Sequence, residues 1–358
     1  MVSESLVSIA QVKSTVQEAV TQAMQLAHWQ EFIRPGADVA LKPNLTLDFF
    51  LPGAVTSPWV MEGVILTIRQ HVRRIYIVES NQVLVRNVEK ALRQTRIADL
   101  CKKYDVEWVN MSRGSFQRMR CEDGLILKDI DLPEILSRTQ LITVPAMKTH
   151  GRTVITGAIK NQWGCLKELR HNYHPVVNEA LADVNSVVKP SFAVMDATVG
   201  LEGNGPKSGI PRIADRVLAS GDFVALDAVA AKIMGFDPGA IPHIQLCHDR
   251  GLGRGKLGEI TIVGEDIAGL NLHFQPARNN QVAVVEMLLR GSLLHKLVFD
   301  TPLFQVFIGG ALIWYSVWYY LLGGKRQRDR ILRNPRYGPQ WVPGPHPRPS
   351  TTEIGVPQ

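Results

Sequence analysis

The chain has 358 residues, 45% apolar and 20% charged, enough to bury a full core in one large α/β domain with an appendage, or in two domains. Its formal charge of +7 sits at one end: residues 325–358 carry seven Lys and Arg against Asp329 and Glu353, a net +5, which leaves +2 for the first 324. A nucleic-acid reader carries its cations on the folded body, so that class is disfavoured; four scattered cysteines without a Cys-x-x-Cys pair also give no zinc or ferredoxin-type signature.

In chain order, residues 6–12 read as a first strand and 14–32 as an amphipathic helix, with Val16, Ala19, Ala23, Leu26 and Ala27 at helical spacing. The N-terminus has no basic region followed by an apolar core, so no secretory signal is expected, and unpaired cysteines suit a reducing compartment. Residues 38–41 form a short buried strand that delivers Lys42-Pro43-Asn44 to its carboxyl end. Open α/β sheets keep ligand groups there, although a plain turn with a solvated lysine reads the same way. Ser57-Pro58 opens a helix running to about residue 71. A strand at 74–79, a helix at 85–104 and a strand at 106–111 follow, then an irregular excursion over 112–132. Strands alternating with helices of this length argue for α/β class: a mainly parallel sheet with helices on both faces.

The apolar run 141–144 ends at Pro145 and opens the densest polar stretch of the chain, residues 144–166. Lys148, Thr149, His150, Arg152, Thr153, Thr156, Lys160 and Asn161 lie among small glycines, a set suited to an anionic or polyoxygenated ligand. A helix is expected at 176–188 and a buried strand at 192–195, ending in Asp196. The ten-residue loop 200–209 is rich in glycine, which lets backbone N–H groups approach a ligand closely, yet it matches neither the dinucleotide nor the Walker spacing. A strand at 217–219 leads to Asp222, a helix N-cap for 223–234. Asp227 inside that apolar helix needs a partner, structural or in the site. A helix at 241–249 and a strand at 259–263 close an α/β domain placed at 1–270.

Residues 303–322 are free of charge, about 30 Å long as a helix, and aromatic towards one end before Lys325-Arg326-Gln327-Arg328. Residues 282–299 alternate apolar and basic side chains, as in a helix lying in a membrane interface. Segment 280–324 is therefore expected to be membrane-associated, monotopic or re-entrant, with body and tail on the cytoplasmic face. Residues 325–358 read as a basic, Pro-rich mobile tail. A buried or dimerising helix of a soluble protein is the other reading of 303–322.

Several ordered motifs carry a resemblance. They are Lys42-Pro43-Asn44, Pro145-x-x-Lys148-x-His150, Thr156-Gly157-Ala158-Ile159-Lys160-Asn161-x-x-Gly164, Asp196-Ala197, Gly203-x-Gly205-Pro206-x-x-Gly209 and Ser220-x-Asp222-x-x-Ala225-x-Asp227. Over roughly residues 5–265 the chain resembles the prokaryotic family called domain of unknown function 362. The resemblance implies an α/β domain, in many members with an appended ferredoxin-like module, and redox association without a defined reaction. Where that module could sit, this chain has its apolar segment and basic tail. An iron–sulfur cluster is thus not expected, the cofactor stays unknown, and electrons would come from a partner protein or a diffusible cofactor.

The functional expectation is an enzyme at a membrane surface acting on an anionic or polyoxygenated small molecule, with lipid-linked molecules among the candidates. Redox chemistry is slightly favoured through the resemblance; isomerisation and group transfer fit the residues equally. His150 is the acid–base candidate because its ordinary pKa lies near neutrality. Lys148 and Lys160 are placed with it as catalytic cations, and Asp196 and Asp227 as groups to orient it or hold a cation. Lys42, Asn44, Arg152, Thr156, Gly157, Asn161, Gly203, Gly205 and Gly209 are expected to bind the ligand. No metal site is assigned, although hydrolysis through Asp196, Asp222, Asp227 and His243 is a third reading. A non-catalytic metabolite-binding or membrane-tethering protein is the alternative.

Overall fold

The structure is a computed structural model that describes residues 5–46, 50–82, 87–167, 170–278 and 281–342. Strands β1 (Ser5–Gln11), β2 (Asp38–Pro43), β3 (Arg74–Glu79) and β4 (Glu107–Asn110) alternate with α1 (Val16–Leu26), α2 (Pro58–Ile68), α3 (Val88–Gln94) and α4 (Ile97–Tyr104). A two-stranded excursion follows, β5 (Phe116–Arg120) with β6 (Asp129–Pro133), then the short α5 (Ile135–Arg138). The polar stretch is β7 (Gln140–Val144), β8 (Ala146–His150), β9 (Val154–Thr156) and the single-turn α6 (Ala158–Asn161). Next come α7 (Val177–Val188), β10 (Phe192–Glu202), β11 (Ile210–Ser220), α8 (Phe223–Met234), α9 (Pro242–Asp249) and β12 (Ile260–Gly264). The C-terminal part is helical: α10 (Gln281–Arg290), α11 (His295–Phe299), α12 (Leu303–Tyr320) and α13 (Gly324–Leu332).

Ten strands form one sheet in the order β12-β1-β11-β10-β7-β2-β3-β4, with β8 beside the outer half of β10 and β9 beside β8. Most pairings are parallel; β11 returns antiparallel between β10 and β1, and β9 antiparallel to β8. Alternation along the strands feeds two cores. Phe192 and Val194 of β10 pack with Val20 of α1 and Met61 of α2, whereas Ala193 and Met195 pack with Leu181 of α7 and Val229 of α8 on the other face. Both faces are thus covered, as a mainly parallel sheet requires.

The expected helix boundaries were broken where backbone handedness changes. Residues 14–32 divide at His28, which is left-handed at φ 50°, so α1 stops at Leu26 and a short 3-10 turn follows. The helix expected at 85–104 divides at Arg96, φ 62°, into α3 and α4, and its first residues lie outside those described. Strand β10 runs on to Glu202, so Asp196 lies inside a strand rather than at its end. The body also reaches past residue 270, because Phe274 is buried in the second core and the Gly203 N–H donates to the Gln275 carbonyl.

The tail needs a further correction as far as residue 342. Helix α13 follows directly on α12, and Ile331, Tyr337 and Trp341 are buried in the core on the α1–α2 face. Tyr337 hydroxyl donates to Asp215, and Trp341 packs on Phe50 with ring centroids 4.7 Å apart. Three large side chains with somewhere to be buried outweigh the basic composition that reads as disorder. Residues 343–358 lie outside those described.

Among the described residues, α12 is the single helix long and apolar enough to cross a membrane by length and composition. One stripe of it, Phe304, Ile308, Ala311, Tyr315 and Tyr319, is buried, and Val306 and Ile313 on the far side are 70% and 67% exposed. Phe299, Phe304 and Ile308 form a small core of their own with Leu289, Phe307 and Leu312, separate from the two cores of the sheet.

Candidate functional site

A cavity of about 190 Å³ opens at the carboxyl ends of β2, β3 and β7 and is roofed by α10 and α12. That edge is where parallel α/β sheets gather ligand groups, because the loops leaving the strands converge there. Of the residues expected from the sequence, Lys42, Asn44, Lys148, His150, Arg152, Thr156, Lys160, Asn161 and Gly205 line it. Asp196, Asp227, Gly157, Gly203 and Gly209 do not.

The floor is a buried polar network. Lys42 Nζ and Glu79 Oε2 are 2.8 Å apart and each side chain is 1% exposed. A Cβ on Gly164 would stand 2.6 Å from the Lys42 amine and 2.8 Å from Glu79 Oε1, so only glycine lets this pair close against the turn after α6. Lys148 Nζ donates to Asn44 Oδ1 at 2.6 Å, to the Ala54 carbonyl at 2.8 Å and to Thr46 Oγ1 at 3.2 Å. Asn44 Nδ2 donates onward to Asn161 Oδ1 at 3.1 Å, and Asn161 Nδ2 donates to Thr143 Oγ1 at 2.9 Å. These two amides, expected to orient a ligand, line the cavity and also tie β2, β7 and α6 together.

Two buried polar atoms at the cavity have no hydrogen-bond partner among the described residues: the Thr156 hydroxyl and the Trp163 indole N–H. Thr156 stands directly across from Lys148 in the β8–β9 register. A buried orphan donor costs about 1–3 kcal/mol, so such groups ask for a partner. Lys160 lies 5.7 Å from the Trp163 ring, within cation–π range.

Seven Lys and Arg and two His surround this cavity against two carboxylates, Glu79 and Glu286. The electrostatic result is a site that resists carrying more positive charge. Burial, reinforced by Lys160 and Lys207, drives the Lys148 amine well below its ordinary value, against three acceptors that favour the ammonium. Burial next to Arg170 and Arg152 brings Lys160 down to about 8. Burial and the same cations hold His150 neutral, well below the ordinary imidazole range.

His150 therefore departs from the near-neutral titration expected of it. Its Nδ1 accepts the Arg152 N–H at 3.1 Å and the Thr153 N–H at 3.4 Å, which assigns the proton to Nε2. A neutral imidazole with its proton on Nε2 is a hydrogen-bond donor, able to polarise a ligand oxygen. It gains basicity only when an anion beside it offsets the cations.

The two aspartates expected in the site are structural. Asp227 accepts the Ala158 N–H at 2.6 Å and the Ile159 N–H at 2.9 Å, capping α6, and burial raises its pKa to about 7. Gly157 is glycine for the same reason: a Cβ there would meet the Asp227 carboxylate at 2.1 Å. Asp196 accepts the Ser57 N–H at 2.7 Å and both the N–H and hydroxyl of Thr198. Asp222 caps α8 as expected, at 2.9 Å from the N–H groups of Val224 and Ala225. Asp196, Asp222, Asp227 and His243 are not drawn together, and among the described residues no three His, Cys, Asp or Glu side chains form a metal-holding group. Gly203 carries the left-handed φ of 74° at the turn after β10, and Gly209 precedes β11 away from the lining.

Sequence reasoning missed Glu79, Arg170, His174 and Glu286, together with the apolar roof of Phe304, Phe307, Ile308, Ala311 and Tyr315. Glu79 was legible as the last residue of a strand neighbouring the Lys42 strand. Glu286 is the single carboxylate within 282–299, an exception in a basic amphipathic stretch.

Comparison with known proteins agrees with the motifs. A thylakoid-associated protein of Synechocystis sp. is 26% identical over 228 residues, which are 59% of this chain and 67% of that one. A solved structure of the lactate racemase apoprotein from Thermoanaerobacterium thermosaccharolyticum aligns over 64% of this chain and 57% of its own, at 10% identity and a TM-score of 0.39; a likeness that low carries no functional argument. The domain of unknown function designated DUF362 matches residues 39–232, more than half of the chain, and the protein belongs to that family.

Proposed function

We propose that this protein is a membrane-docked enzyme whose cavity takes the anionic, polyoxygenated head of an amphiphile. One observation carries the reading: a single cavity joins a cationic floor, with the orphan Thr156 hydroxyl and Trp163 N–H, to an apolar roof supplied by α12. Lys148, Arg152 and Lys160 would neutralise the head, since cations in a water-poor site act strongly on fixed or developing negative charge. The Thr156 and Trp163 donors would take its oxygens, and His150 Nε2–H would polarise the reacting one. The roof would receive the first carbons of the tail.

The outer faces of α10 and α12 would lie in the membrane interface. Leu288, Val306 and Ile313 are 67–70% exposed there, and Leu293, Leu321 and Leu322 of the same segment are exposed with them; large apolar side chains exposed as a group mark a surface for a membrane or a partner. The relative described as thylakoid-associated supports this reading. The basic α13 beside α12 favours a cytoplasmic position for body and helix by the positive-inside tendency. Redox chemistry, suggested by the family, would draw electrons from a partner protein or a diffusible cofactor. The acid–base and hydrogen-bonding groups of the cavity favour proton or group transfer at least equally.

Mass spectrometry of the denatured full chain purified from membranes tests the reading. An anionic amphiphile is expected from the wild type and its loss from Thr156→Val with the melting temperature little changed. Recovery of a water-soluble metabolite from both would overturn it. A pure binding protein is separated by His150→Ala, which should abolish turnover of the recovered compound while leaving it bound.

A further inference from the structure

Helix α10 presents Val282 and Glu286 to the cavity, while Val284, Val285, Met287 and Leu288 face outward. Glu286 is a carboxylate where the charged side chains of the lining are otherwise, Glu79 apart, all cationic. Its Oε2 accepts from Arg152 Nη2 at 3.1 Å and its Oε1 from Arg290 Nε at 2.9 Å, and Oε1 is 3.2 Å from His174 Nδ1. Glu286 is 12% exposed, Arg152 17% and His174 18%, so the cluster is largely shielded from solvent screening. Burial alone would raise the Glu286 pKa, yet the His174 hydrogen bond and the two guanidinium groups pull it well below the ordinary carboxylate range. Burial lowers the His174 pKa while its contact with Glu286 opposes that shift, so the pair is held by the Nδ1 hydrogen bond inside a shielded cluster.

Arg152 and His174 belong to the β9 approach and the turn before α7, whereas Glu286 and Arg290 belong to α10. The cluster thus crosses from the α/β body to a hairpin that keeps its own small core of Phe299, Phe304 and Ile308. Arg290 stacks 4.0 Å over Phe299, which fixes Glu286 from the hairpin side.

We propose that Arg152 and His174 form an anion subsite whose resident is the chain's own Glu286 carboxylate, and that a phosphate or carboxylate group of the ligand exchanges with it and unlatches α10. This rests on the anionic-ligand reading of the same cavity. The exchange swaps one anion for another on the same donors, so it needs no new charge in the site. Its cost is the loss of the Glu286 contacts, and its consequence is that the ligand and a seated α10 exclude one another at this point. Apparent affinity is then lowered by the fraction of chains in the latched state.

Hydrogen exchange on the full chain in detergent, titrated with inorganic phosphate, tests the proposal. Phosphate should speed exchange in residues 281–290 while slowing it at 146–156. Glu286→Gln should exchange fast at 281–290 without phosphate and bind phosphate roughly three- to tenfold more tightly, because the resident competitor is gone. Arg152→Gln should also loosen 281–290 but weaken phosphate binding, a pairing that general misfolding of the hairpin would not give. Equal phosphate binding by wild type and Glu286→Gln, with exchange at 281–290 unmoved, overturns the latch and leaves the anionic-ligand reading standing. Phosphate binding by neither protein overturns both.

Discussion

The α/β body and the 281–322 hairpin dispose of apolar side chains in opposite ways. In the body, Phe192, Val194 and Met195 vanish between two helical layers, and buried ionisable groups are held by a counter-ion, as at Lys42 and Glu79, or by several hydrogen bonds, as at Asp196. In the hairpin, Leu288, Leu293, Val306 and Ile313 face outward, while Glu286 points inward to the cavity. A body built this way gains stability from its own burial. The hairpin leaves large apolar side chains exposed, and its inner face meets the body around the cavity and, near the end of α12, through Trp318 and the Tyr319 hydroxyl on the Phe50 carbonyl. What separates the regions is which side of each helix the solvent is meant to see.

That contrast predicts a graded set of responses. Lys42→Met would strand Glu79 unpaired in the interior and should cost about 3–5 kcal/mol in urea unfolding, and adding Glu79→Leu should restore much of it. Full stability of the single variant would mean the body tolerates a lone buried charge, and the contrast would fail.

His243 gives a second handle on the body. It is fully buried with neither ring nitrogen hydrogen-bonded among the described residues, and burial lowers its pKa to about 3. The unfolded chain binds a proton there below about pH 6.5 and the folded chain does not, so stability present above that pH is lost as it falls towards 3. At pH 5 this amounts to about 2 kcal/mol. His243→Leu should flatten that part of the acid limb in melting experiments, and an unchanged limb would show that the ring is not the responsible group.

At the boundary between the regions, Lys160 loses its charge as pH rises through about 8. Phosphate affinity should therefore fall, by up to about tenfold, between pH 7.5 and 9, and binding near pH 8 should take up protons in calorimetry. Lys160→Arg should keep affinity level across that window; a fall identical to wild type would place the sensitive group elsewhere.

The smallest stability effect belongs to the hairpin. Leu288→Glu, Val306→Glu and Ile313→Glu together should move body unfolding by no more than about 0.5 kcal/mol per site, since each is exposed. The same triple variant should lose flotation with anionic vesicles. Retained flotation would mean that the exposed face serves some other contact.

Much of the site could be read along the chain because its residues lie on successive β-ends. Lys42 and Asn44 close β2, and Lys148 through Asn161 fill one hairpin and one helical turn, so sequence proximity stood in for spatial proximity. The same shortcut misled for Asp196 and Asp227. Each lies in a motif of its own that carries the same family resemblance, yet their carboxylates are spent on backbone N–H groups at the starts of α2 and α6.

The alternation of strands and helices, the cap at Asp222, the cationic character of 144–166 and the apolar character of 303–322 were all legible along the chain. Each follows from local periodicity or from residues adjacent in the chain. Contacts between distant parts of the chain set the rest: Gly164 must be glycine because Lys42 and Glu79 meet against it, Tyr337 and Trp341 bury a segment composed like a tail, and α12 roofs the cavity. Those outcomes depend on groups far apart in sequence meeting in space, and on burial, which changes what a charge costs and which protons a histidine or lysine keeps.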